Sequence, residues 1–140
     1  MTYAPDGAGH RVYRQALHVR SEAAAQEWGQ VVASWEPWHE DKPSIRARVV
    51  APDGRVFLLD PKTIETTTPR TADADLYTDR SLLRAPLPGS TRGAIVELEI
   101  DAQDRAPLFD QGALESFGFV LDTLGTAKIV LNNVAPQATT

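Results

Sequence analysis

Residues 94–101 read Ala-Ile-Val-Glu-Leu-Glu-Ile-Asp, with Ala94, Val96, Leu98 and Ile100 opposing Glu97, Glu99 and Asp101. Successive side chains of a strand point to opposite faces, so this alternation predicts a strand with one face on a core and the other in water, the pattern of antiparallel sheets. Only Ile95 breaks it. The same period recurs toward the N-terminus. Residues 44–50 set Ile45, Ala47 and Val49 against Arg46 and Arg48, and residues 10–20 set Tyr13, Leu17 and Val19 against Arg14, His18 and Arg20. If the strands at 44–50 and 94–101 are neighbours, Arg46 and Arg48 pair across them with Glu97 and Glu99, a structural arrangement.

Turn chemistry punctuates these runs. Pro52-Asp53-Gly54 separates residues 44–51 from 55–60, and the glycine supplies the positive φ of a tight turn, so a hairpin is predicted. Pro88-Gly89-Ser90-Thr91-Arg92-Gly93 joins residues 81–87 to the strand at 94 and predicts a second, looser hairpin. A third is predicted around Asp122-Thr123-Leu124-Gly125, flanked by 115–121 and 126–134, with Phe117, Phe119 and Leu121 on one face. One short helix is predicted over 22–28, capped by Ser21 and favoured by Ala23, Ala24 and Ala25. Residues 63–78 are too polar for core and read as a long connection or an edge. Many short strands with almost no helix indicate an all-β, antiparallel β-sandwich or a related open sheet.

The beginning of the chain departs from this regularity. Asp6-Gly7-Ala8-Gly9 has hairpin-turn chemistry, yet only five residues precede it. The strand from His10 is therefore expected to lack its partner, leaving an unpaired edge through which the chain could self-associate.

A chain of 140 residues suits a single domain, here 1–140 with residues 1–9 and 135–140 expected to be flexible. Cysteine is absent, which excludes disulfides, thiolate metal sites and a cysteine nucleophile from this chain. The net charge of −5 argues against nucleic acid as a partner. No apolar run approaches the ~20 residues of a membrane span, and residues 1–7 lack the basic and apolar regions of a signal peptide.

The block Trp35-Glu36-Pro37-Trp38-His39-Glu40, followed by Ile45-Arg46-Ala47-Arg48-Val49-Val50-Ala51-Pro52-Asp53-Gly54-Arg55-Val56, resembles the bacterial domain of unknown function that sits N-terminal to transglutaminase-like domains. Further matches follow in order: Tyr77-Thr78-Asp79-Arg80, Leu87-Pro88-Gly89-Ser90-Thr91-Arg92-Gly93-Ala94-Ile95-Val96-Glu97-Leu98, and the aromatic stretch at 117–121. The resemblance runs over roughly residues 7–134. It implies an immunoglobulin-like β-sandwich in a periplasmic or extracellular protein. It also implies a neighbouring transglutaminase-like domain that carries the Cys-His-Asp chemistry, with this chain as a non-catalytic accessory module cut from a longer protein.

The residues themselves offer few catalytic groupings. His10, His18 and His39 fall on different elements, so they are expected on the surface and not around a metal. Asp73-x-Asp75-x-x-x-Asp79 opens like a calcium loop, but Thr78 stands where such a loop needs glycine and Arg84 where it needs a bidentate glutamate. No nucleophile-elbow motif accompanies the serines. No cofactor is implied. The aromatics carry the alternative reading, a carbohydrate- or peptide-binding module: Trp28, Trp35 and Trp38 fall within eleven residues, with His39 adjoining. Exposed, these side chains would stack on a sugar or grip a peptide; buried, they would close one end of the sandwich.

Overall fold

In the computed structural model, which describes residues 1–68 and 79–107, the strand predicted at 94–101 lies at the centre of the larger of two sheets. In chain order the elements are β1 (Thr2–Tyr3), β2 (Gly9–His18), α1 (Glu22–Glu27), β3 (Gln30–Trp35), β4 (Ser44–Val50), β5 (Val56–Leu58), a 3-10 turn (Pro61–Thr63), β6 (Glu65–Thr67), β7 (Ser81–Pro86) and β8 (Ile95–Gln103). The five-stranded sheet has the order β1-β2-β8-β4-β5 and the three-stranded sheet the order β3-β7-β6. All pairings are antiparallel. The fold is an all-β, sandwich-like arrangement of two sheets.

Alternation explains the core. Val96 and Leu98 of β8 and Ile45 and Val49 of β4 are buried on the inner face of the large sheet, where Leu17, Ala47, Phe57 and Ile100 extend the layer. Val31, Ala33 and Trp35 of β3 and Leu83 and Ala85 of β7 face them. Val19, Val49, Leu83 and Val96 are almost wholly excluded from water, each such burial being worth roughly 1.5–3 kcal/mol. Tyr13, in phase with Leu17, is nevertheless 53% exposed, and its hydroxyl turns to Gln15 Oε1 at 2.8 Å.

Local chemistry sets the ends of the elements. Ser21 Oγ accepts from Ala24 N–H at 3.1 Å and so starts α1; Trp28 ends it. The Pro52-Asp53-Gly54 turn joins β4 to β5 as predicted, with Gly54 at φ 84° and Asp53 Oδ1 accepting from Arg55 N–H at 3.1 Å. The polar stretch beginning at 63 supplies β6, an edge strand.

Two expectations are corrected. First, β7 and β8 do not form a hairpin: they lie in different sheets, and the 87–94 segment is an arch between layers. Leu87 N–H bonds to Gly29 O at 2.9 Å and Gly93 N–H to Val19 O at 2.7 Å, so each foot of the arch is tied to its own layer. Second, β2 does not start without a partner. A turn closed by Ala4 N–H to Ala8 O at 2.8 Å leaves Thr2 and Tyr3 free to pair with His10 and Gly9. Residues 12–18 have no strand on that side among the described residues. Residues 30–35 add a strand, β3, whose Val31, Ala33 and Trp35 face inward. The third predicted hairpin and the calcium-like segment from Asp73 to Thr78 lie outside the described residues.

Candidate binding surface at the 35–40 corner

Trp35 ends β3 in phase with Val31 and Ala33, so its indole continues the core stripe and is buried. Beyond it the chain turns. Glu36 O accepts from His39 N–H at 3.1 Å and from Glu40 N–H at 2.9 Å, while Glu40 Oε2 accepts from Glu36 N–H at 2.6 Å. The turn is then fastened to the end of β8 and the residues after it: Asp41 N–H bonds to Gln103 O at 2.8 Å and Arg105 N–H to His39 O at 2.7 Å. Arg105 also donates to the carbonyls of Pro37 and Glu40, and Arg11 joins the carboxylates of Glu40 and Asp104.

Within this frame the four sequence-predicted residues part company. Trp38 is 56% exposed, its ring 4.2 Å from that of His39 with the planes tilted by 56°. His39 is only 6% exposed, which corrects the expectation of a surface histidine: the carbonyl anchors on either side of it draw the ring under the turn. Its Nε2 lies 3.3 Å from Glu36 Oε2. Nδ1 is buried and has no hydrogen-bond partner among the described residues. Trp28 packs half-buried at the other end of β3, and at ~3.3 Å per residue the six-residue strand sets it roughly 20 Å from the corner. The three indoles therefore do not share one platform; Trp38 with His39 and Glu36 is what the corner presents.

Glu36 is the electrostatic centre of that surface. Partial burial raises its pKa, but hydrogen bonds from Arg80, Trp38 and His39 outweigh the burial and hold the carboxyl below its ordinary 4.5. Trp38 Nε1 donates to Glu36 Oε2 at 3.2 Å and Arg80 to Oε1 at 3.4 Å. The pins Arg11, Asp104 and Arg105 escaped sequence reasoning, since they come from 29 or more positions away and carry no local motif.

His10, the second predicted surface histidine, pairs through Nε2 with Asp101 Oδ1 at 2.8 Å. Among the described residues no group of three or more His, Cys, Asp or Glu is placed to hold a metal ion. On the outer face of the large sheet the predicted cross-strand pairs form: Arg48 with Glu97, and Arg46 with Glu99 at 3.2 Å, the latter shared by Arg14 at 2.6 Å.

A family model described as a domain of unknown function with a solved structure (DUF3857) matches residues 5–136. The chain belongs to the DUF3857 family. Among solved structures, the DUF3857 chain resembles a putative protease from Parabacteroides distasonis, with a TM-score of 0.64 at 18% identity over 74% of this chain and 21% of that one. At that identity the likeness concerns the fold. The DUF3857 chain spans roughly a fifth of the length of that protein. No curated protein matches it.

Proposed function

We propose that the chain is a non-catalytic accessory module of a larger periplasmic or extracellular protein of transglutaminase-like type, where it packs against the catalytic domain or presents substrate to it. The observation that carries this reading is that the same fold makes up 21% of a much longer chain whose name points to proteolysis, while this sequence has no cysteine to act as nucleophile. Family membership over residues 5–136 supports it. The test is direct. The chain incubated with an amine donor and a glutamine-containing protein should give no crosslinked product and no ammonia; turnover by the chain alone would overturn the reading.

A second reading rests on one observation, the 56% exposure of Trp38 above a fastened corner. In it Trp38 stacks on a sugar ring or a peptide side chain while Glu36 accepts a hydrogen bond from the ligand. Quenching of tryptophan fluorescence by a polysaccharide or peptide, lost in Trp38→Ala, would support it. The same quenching in the variant would remove it.

A further inference from the structure

Strand β2 leaves part of one backbone edge open. Its odd-numbered residues bond toward β8: Gly9 O accepts from Asp104 N–H at 2.8 Å, and just past the strand Val19 N–H donates to Ala94 O at 2.8 Å. In an antiparallel strand the N–H and C=O of one residue point to the same side. Those of Val12, Arg14, Ala16 and His18 therefore point away from β8. Thr2 and Tyr3 cover that side only as far as His10, and among the described residues no strand covers it from 12 to 18.

The devices that usually guard such an edge are missing. Residues 12–18 contain no proline or lysine, and the pairing with β8 runs from His10 to His18 without a bulge. The charge of Arg14 is taken up by Glu99 at 2.6 Å. The other edge strands differ. β5 and β6 have three residues each, and β3 already has its inward Val31, Ala33 and Trp35 buried. On β2, by contrast, Tyr13 stands on the inward side and is still 53% exposed.

The open run is complementary to itself. A two-fold axis at Gln15, its midpoint, sets Val12 opposite His18 of a second copy and Arg14 opposite Ala16, with Tyr13 against Leu17 on the inward face. Every outward-pointing residue then lies in a hydrogen-bonded row, about eight main-chain bonds in all, and Tyr13 gains an apolar cross-strand neighbour. Sliding the pair by two residues loses a row, since His10 is already paired with Thr2 and the strand ends at His18. One such slide also brings Arg14 against Arg14. We propose that β2 is a dimerisation edge: two copies pair antiparallel through residues 12–18 about an axis at Gln15, joining their five-stranded sheets into one.

The pairing needs no neighbouring domain, so the 140-residue chain tests it directly. One strand pair buries less than the ~800 Å² per partner of a stable complex, so association should be half complete on the order of 100 µM. Sedimentation should then show the mass rising with concentration from 15.3 kDa toward twice that. Ala16→Pro removes one outward N–H and leaves the β8 ladder intact, since proline is tolerated where an edge N–H faces water. It should weaken association at least about tenfold with an unchanged circular dichroism spectrum. The absence of cysteine lets a single thiol read the register. Gln15→Cys stands opposite its own copy at a Cα separation of about 4.5 Å, within disulfide reach, and should oxidise to a covalent dimer. Ala16→Cys stands opposite Arg14 and should not. A monomer at concentrations on the order of 1 mM would overturn the proposal, as would association that survives Ala16→Pro or equal crosslinking at 15 and 16. Should Ala16→Pro fail to fold, the two cysteine variants decide alone.

Discussion

Gly9 and Asp104 hold each other by two hydrogen bonds of 2.8 Å, Gly9 N–H to Asp104 Oδ2 and Asp104 N–H to Gly9 O. They are 95 positions apart. This pair clamps the start of β2 to the end of β8, and Arg11 reaches the other oxygen of the same carboxylate at 2.8 Å. The Asp104 side chain is 8% exposed, so its partners have little water to replace it.

Asp104→Ala should therefore cost about 2–3 kcal/mol, the range for a buried charged acceptor whose donors are left behind. Asp104→Asn, which keeps one acceptor oxygen but loses the charge facing Arg11, should cost less. Urea denaturation with unchanged m-values checks both.

A second prediction concerns the arch. Gly89 has a φ of 79°, and a Cβ there would lie 2.8 Å from Phe57 Cε2 and 2.9 Å from Cγ. Gly89→Ala combines a left-handed backbone, about 1–2 kcal/mol, with overpacking against the ring, about 1–3 kcal/mol. Phe57→Leu should recover part of the second loss but none of the first, and a double-mutant cycle separates them.

The indoles offer a contrast. Trp35→Ala opens a cavity in the core and should lower stability by about 3–5 kcal/mol. Trp38→Ala, at an exposed position, should stay within about 0.5 kcal/mol. Comparable losses at both would show that the corner is not organised as described.

Acid should weaken the fold through three carboxylates. Glu36, Asp53 and Glu97 are each held below their ordinary values. For Glu97 the guanidinium of Arg48 is the main cause; for Asp53 it is the backbone N–H of Arg55. A carboxylate depressed in the folded state contributes stability that is complete above its ordinary pKa and is lost as pH falls through the folded one. Urea midpoints should thus fall as the pH drops below the ordinary 4.5 of Glu36 and Glu97 and 3.8 of Asp53. Glu36→Gln combined with Glu97→Gln should flatten that slope; an unchanged slope would place the acid sensitivity elsewhere.

Much of the large sheet was legible because its strands alternate cleanly: Ile45 with Arg46, Leu98 with Glu99. Even the pairing of Arg46 and Arg48 with Glu97 and Glu99 followed from charge and parity. The arch is not legible locally, because Pro88-Gly89 turn chemistry is the same whether a chain returns to its own sheet or crosses to another; the bonds of Leu87 to Gly29 and of Gly93 to Val19, both long-range, distinguish the two. Strand β3 is harder to read, because Val32, which is exposed, is as apolar as the inward Val31 and Ala33 on either side of it and blurs the alternation. The burial of His39 was hidden for a different reason. Glu36, Glu40 and Asp41 lie close to it in sequence, while the backbone N–H groups that hold its carbonyl belong to residues 105 and 106.

The central position of β8 also bears on how the chain assembles. Strands β2 and β4 never touch as partners; each pairs with β8, over nine and seven residues respectively. During synthesis the β1-β2 and β4-β5 hairpins can form early, but nothing joins them until residues 95–103 arrive and slot between. The large sheet is thus completed by insertion, with its long-range closure left to the end, an order that predicts slow, single-step folding and a nascent chain whose strand edges stay exposed until the middle is filled.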